Sequence, residues 1–160
     1  MNLNRSRIGK ALLVTAALLA SAALVGCTAT VSLEPATDAN NPACAEVSVR
    51  LPDELESSQK RRTNAQATAA WGNPAVVLLR CGLEPVYAST LPCVTAGEVD
   101  WLVDATEAPS YRFVSFGRKP AVEVIIDSKK ASGVTALEAL APAVSRIEAT
   151  RQCTAKPAKD

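Results

Sequence analysis

Five cysteines punctuate the chain, at positions 27, 44, 81, 93 and 153, and the first stands apart from the rest. Cys27 comes directly after a run from Ala11 to Gly26 that is apolar or small except for Thr15 and Ser21. That run is preceded by Arg5, Arg7 and Lys10, with no acidic residue before it. A basic start, a short apolar stretch and a small-residue exit make an export signal. The apolar part is shorter than the about 20 residues a transmembrane helix needs. Residues 1–26 are therefore expected to be a leader, and the fold must be built from the residues beyond it.

Leu24-Val25-Gly26-Cys27 resembles the bacterial lipobox, in which a cysteine comes after Leu, a small or apolar residue, and Gly or Ala. On that reading the leader is cut before Cys27 and the thiol carries a diacylglyceryl thioether. Each buried CH₂ contributes about 0.8 kcal/mol, so two long chains hold firmly where one is marginal. The expected address is the extracytoplasmic face of the cell membrane, lipid-anchored. The alternatives are a plain secretory signal cut near Cys27 and an uncleaved anchor helix.

Lipidation leaves Cys44, Cys81, Cys93 and Cys153, an even number in an exported domain, which reads as two disulfides. Three pairings are possible. Cys81–Cys93, close in sequence, with Cys44–Cys153 tying the ends, is the expected one. The chain-entropy model gives about 3 kcal/mol for a short loop and nearer 5 for a long one. The spacings match no zinc motif, and neither metal nor cofactor is expected.

Histidine is absent. That removes the commonest general base near neutral pH and the commonest metal ligand, and counts against Ser-His-Asp and Cys-His catalysis. No Gly-x-Ser-x-Gly element occurs either. Without the three leader bases, the 17 Lys and Arg fall to 14 against 16 Asp and Glu. A net charge so near zero does not suggest nucleic acid as a partner.

The mature length suits one domain. Thr28 to Asn41 is polar and small and reads, with Cys27, as a lipidated flexible tether over 27–41 that spans roughly 20 Å. The domain is expected over 42–153, with a polar tail over 154–160. Pro42 suits a helix start, and Cys44, Val47, Leu51 and Leu55 recur at helical spacing. Pro52 should end that helix near Leu51. Lys60-Arg61-Arg62 reads as a solvated loop, or as a contact for anionic lipid or wall polymer at about 1 kcal/mol per charge.

Strands are expected over Thr63–Trp71, Ala75–Leu79 and Val99–Val103. Tyr111–Phe116 and Ala121–Ile126 form a hairpin candidate across Gly117 to Pro120. Glu84–Gly97 reads as loop. Thr135 to Glu138 fits a capping box for a final helix, in which Pro142 should cause a kink or a division. The fold class is α+β: a mainly antiparallel sheet of about four to five strands, with N- and C-terminal helices on one face.

Trp71-Gly72-Asn73-Pro74, Arg80-Cys81-Gly82, Cys93, Val99-Asp100-Trp101-Leu102 and Phe116 to Val124 with its Gly117-Arg118-Lys119-Pro120 core form an ordered series. The series resembles an uncharacterised family of exported actinobacterial proteins, commonly lipoproteins or secreted, catalogued as a domain of unknown function. The resemblance implies a compartment and a bacterial group. It implies no reaction and carries over no functional residue.

Arg80 and Arg118 are the best polar candidates, each beside a glycine and a strand end. A guanidinium presents a planar fork to a carboxylate or phosphate. Each is either a ligand contact or the partner of an internal acid such as Asp100, Asp104 or Glu123. Trp71 and Trp101 alternate in phase with apolar neighbours and read as core rather than as a sugar platform. Asp100, Asp104, Glu107 and Glu123 offer acids, but no spacing selects a glycosidase-like pair. The expectation is a non-enzymatic binding or scaffolding module for an envelope protein or cell-wall component. A carboxylate-dependent wall hydrolase or transferase, and an apolar-ligand carrier, are the competing readings.

Overall fold

The computed structural model describes residues 29–153. Cys27, the leader and the 154–160 tail lie outside the described residues. No helix among those described is long and apolar enough to cross a membrane.

Two helices and eight strands occur in the order α1 (Pro42–Ser48), β1 (Glu54–Leu55), β2 (Ser58–Arg61), β3 (Thr68–Trp71), β4 (Val77–Leu83), β5 (Cys93–Ala96), β6 (Val99–Asp104), β7 (Ser110–Ser115), β8 (Ala121–Asp127) and α2 (Gly133–Val144). The strands make one antiparallel sheet in the order β1-β2-β3-β4-β8-β7-β6-β5. The antiparallel sheet and the helix at each end agree with the sequence reading, but the strand number does not. The unforeseen strands β1, β2 and β5 all lie at the sheet's ends, where short, polar segments are the rule because an edge must resist further pairing. Lys60 and Arg61, expected in a loop, belong to β2.

Both helices pack on one face. Alternate strand residues there are apolar: Val77, Leu79 and Cys81 of β4, Val122, Val124 and Ile126 of β8, and Val99 and Trp101 of β6. They meet Cys44 and Val47 of α1 and Leu137, Leu140 and Val144 of α2 in one buried cluster. Trp71 and Trp101 are fully buried in it, so neither offers a stacking platform. The Trp71 indole N–H donates to the Pro52 carbonyl at 3.0 Å. Asn41 caps α1 by accepting from the Ala43 N–H at 3.0 Å, with Pro42 at the first turn. Leu55 has left the helical pattern for β1. α2 starts earlier than the capping-box residues suggest, because the Ser132 side chain accepts from the Thr135 N–H at 3.3 Å. Pro142 falls in the last turn and α2 runs through it to Val144.

The disulfides correct the expected pairing. They join Cys44 to Cys81 and Cys93 to Cys153. β4 and β5 are consecutive in the chain but have β8, β7 and β6 between them in the sheet. Four inter-strand spacings of about 4.8 Å far exceed the about 7 Å Cα limit of a disulfide, so Cys81–Cys93 cannot form. Cys81 instead faces the helices and meets Cys44 on the apolar side of α1.

The tether expectation is also corrected. Residues 29–41 form a strap laid along the domain. The Val31 N–H donates to Arg62 O at 2.8 Å, and the Asn64 N–H to Val31 O at 3.3 Å. Asn64 Oδ1 accepts from the Leu33 N–H at 2.7 Å, and Gly82 O from the Asp38 N–H at 3.0 Å. Gly82 has φ +109°, and a Cβ there would stand 2.6 Å from the Asp38 and Ala39 backbone. Glycine is what lets the strap lie flat on β4. Composition suggested coil; the backbone of this segment instead satisfies its hydrogen bonds on the sheet edge and on β4.

Candidate functional site

Strand alternation sends every second side chain to the face away from the helices. The register brings Thr68, Arg80, Glu123, Val114 and Leu102 into one row there, across β3, β4, β8, β7 and β6. Two segments partly cover this face. The strap contributes Pro35, Ala36 and Thr37, and the β4–β5 loop contributes Glu84, Val86, Ser89 and Leu91. Between them lies an open hollow of about 380 Å³, floored by Arg80, Leu102, Arg112 and Val114. Its size falls in the range of small-ligand sites, about 300–1,000 Å³.

Glu123 is buried at the centre of the row. Arg80 donates to its Oε2 through Nε at 3.0 Å, and its Nη2 stands 2.7 Å from the same oxygen as an ion pair. Arg112 donates to Oε1 through its Nε. A buried carboxylate needs such partners, and two guanidiniums over-compensate it by one charge. Both arginines stay over a third exposed along their side chains. Nη1 of Arg80 and the Nη edge of Arg112 carry no partner among the described residues.

Asp104 and Glu84 stand on the same hollow. The Asp104 carboxylate accepts from the Thr106 hydroxyl at 2.7 Å and from the Thr106 N–H at 3.0 Å. These bonds, the hydroxyl first, hold its pKa below the ordinary value, with Arg112 adding to the effect and desolvation opposing it. The hollow therefore offers free cationic edges on its floor and acids beside them. Apolar Leu83, Leu91 and Val114 complete the lining.

The sequence candidates separate. Arg80 lies in the hollow, paired with Glu123, one of the internal acids named for it. Arg118 lies elsewhere and is buried, clasping the C-terminal segment. Its Nη1 donates to Ile147 O and its Nη2 to Glu98 O, the latter at 3.2 Å. Burial lowers its pKa, and Asp100 partly offsets this. It offers no edge to a ligand, so the two arginines do not share a site. Asp100 accepts from Thr95 Oγ1 and from the Cys153 N–H, both at 2.7 Å. Glu107 is exposed in a turn. The grouping of Cys93, Asp100 and Cys153 has metal-ligand chemistry, but its sulfurs are joined to each other and its carboxylate oxygens are engaged.

Arg112 is the functional candidate that sequence reasoning missed. A signal was present: it is the one charge inside the β-rich run Tyr111 to Phe116, as Glu123 is within Ala121 to Ile126.

The chain matches the family described as "Protein of unknown function (DUF3515)" over residues 8–153, and it belongs to that family. No curated protein and no solved structure matches it significantly.

Proposed function

We propose that this family member is a cell-envelope lipoprotein, anchored through Cys27, whose domain is a non-enzymatic binding module for a peptide-bearing envelope protein or wall component. The anchor rests on the basic start, the apolar run and the lipobox. One observation carries the binding reading: two guanidiniums meet at Glu123 and still present free N–H edges to an open hollow. A carboxylate on a peptide would take those edges as a fork takes its partner. Asp104 and Glu84 would face an accompanying cationic group, and Leu83 and Leu91 an apolar side chain. Both oxygens of Glu123 already accept from guanidiniums, an arrangement suited to holding arginines in place rather than to delivering a proton. The hollow is open, and charged side chains share its lining with apolar ones, which does not suit a purely apolar cargo.

The test is photo-crosslinking in the native envelope, with the reactive side chain at Ser89 on the rim. Capture of one peptide-bearing component is expected. Arg112→Ala should lower its yield by about tenfold or more, the worth of a charged hydrogen bond. Arg112→Lys should recover part of it. An unchanged yield in Arg112→Ala, with the fold intact by circular dichroism, would remove the hollow as the binding site. Intact-mass measurement of the membrane fraction tests the anchor separately: a product without acyl mass on Cys27 refutes it.

A further inference from the structure

A second hollow, of about 540 Å³, lies at the β2–β3 end of the sheet. Its lining includes Lys60, Arg61 and Lys130, with Ser57, Ser58 and Asn73, and no acid. Arg62, next in the chain to Arg61, is exposed. No ion pair among the described residues engages Lys60, Arg61 or Arg62, while Lys130 has only Asp127, at 3.2 Å. The nearby Glu54 accepts from Gln59 at 2.7 Å.

Arg61 ties this groove to the start of the strap. Its Nη1 donates to Gly72 O at 2.8 Å and Asn73 Oδ1 at 3.1 Å, both on the groove wall, and its Nη2 donates to Ala29 O. One guanidinium thus bridges the groove and Ala29. Cys27 precedes Ala29 by two residues, which extend at most about 7 Å. A lipid on Cys27 would therefore enter the bilayer beside the groove, with no long spacer between.

We propose that this groove docks on anionic phospholipid headgroups, so that the anchored domain meets its membrane by one fixed face. The proposal rests on the lipid-anchor reading for its geometry and on the groove's uncompensated cations for its chemistry. Lipid phosphates fit Lys60 on the groove wall, with exposed Arg62 two residues on, as counter-charges, and the Ser57 and Ser58 hydroxyls as donors; Lys130 is already shared with Asp127. The arginine hollow of the open face, bounded by the strap farther along at Pro35 to Thr37, stays free for its ligand.

The test uses the purified full-length, acylated protein in vesicles of phosphatidylglycerol with phosphatidylcholine, and in phosphatidylcholine alone. Amide hydrogen exchange is read at residues 57–62 and 72–73. Slower exchange on the anionic vesicles is expected, and it should be lost in about 0.5 M salt. Lys60→Glu with Arg62→Glu should weaken the protection by about tenfold or more. Arg61 is left alone because it holds the strap. Equal exchange on the two vesicle types, or indifference to the double substitution, would overturn the proposal. So would equal protection by soluble inorganic phosphate or polyphosphate, which would make the groove a phosphate site rather than a lipid one. If the mass shows no acyl group, the same protein is mixed with both vesicle types. Protection that still depends on phosphatidylglycerol would then support the groove while the anchor falls, and its absence would overturn both.

Discussion

Two neighbouring rows of the sheet differ by one residue in every strand. Ala69, Leu79, Val124, Phe113 and Val103 form one; Thr68, Arg80, Glu123, Val114 and Leu102 form the other. The first lies under two helices and contains no charge. The second lies under a strap and a loop, and buries an acid between two half-exposed arginines. Each face also has its own disulfide: Cys44–Cys81 ties α1 to β4 within the helix-side core, whereas Cys93 pairs in register with Leu102 of the open row and binds Cys153. The cover explains the difference. Helices satisfy their own backbone and present side chains, so what they cover must be apolar to be buried without cost. A strap and a loop cover incompletely, and charge is tolerated beneath them because water still reaches part of it.

If that division is right, the helix face carries most of the stability. Trp71→Ala should cost about 4 kcal/mol in urea or guanidinium unfolding, through the lost packing and the cavity left behind, together with the bond to Pro52 O. A cost below about 1 kcal/mol would mean that the two faces share the work evenly. Glu123→Gln should be milder, about 2 kcal/mol, because solvent already screens the exposed ends of Arg80 and Arg112. It carries a second signature. With the internal anion gone, the arginines should favour an external one, so sulfate should restore the variant's midpoint more than chloride at matched ionic strength. Equal recovery by the two salts would mean that the open row is merely a structural ion-pair cluster, and the comparison would lose its functional half.

The helix-side row was legible in the sequence because apolar alternation is a period that physics enforces. Val99, Trp101 and Val103, and the runs around Phe113 and Val124, declared themselves as strands. The edges did not, because β2 is Ser58-Gln59-Lys60-Arg61, a polar stretch with no apolar alternation to mark it. The disulfides were illegible for a related reason: sequence distance misleads when three strands intervene between β4 and β5. Residues 29–41 have the composition of coil, and only their bonds to Arg61, Arg62, Asn64 and Gly82 make them a strap. At the hollow, Arg80 could be picked out by its neighbours Cys81 and Gly82. Arg112 required the knowledge that β7 and β4 flank β8, which is a property of the topology.

The smallest effect concerns acid. The described part of the helix-side row holds no titrating side chain, whereas Asp104 stands on the open side with its pKa below the ordinary 3.8. The Thr106 hydroxyl and N–H lower it most, and Arg112 adds to them. A carboxylate with a depressed folded value contributes its stability above the unfolded value and loses it as pH falls through the folded one. Stability should therefore decline between about pH 5 and pH 2, and Asp104→Asn should flatten part of that decline. Asp127 will keep the remainder, since the Lys129 N–H first, and then Lys130, depress it too. Tracking the unfolding midpoint and the Thr106 amide shift against pH checks both. The amide should move with the Asp104 titration while amides of β4 and α1 stay still. Movement of the helix-face amides at the same pH would show that the two rows are coupled rather than independent, and the division drawn from their covers would have to be given up.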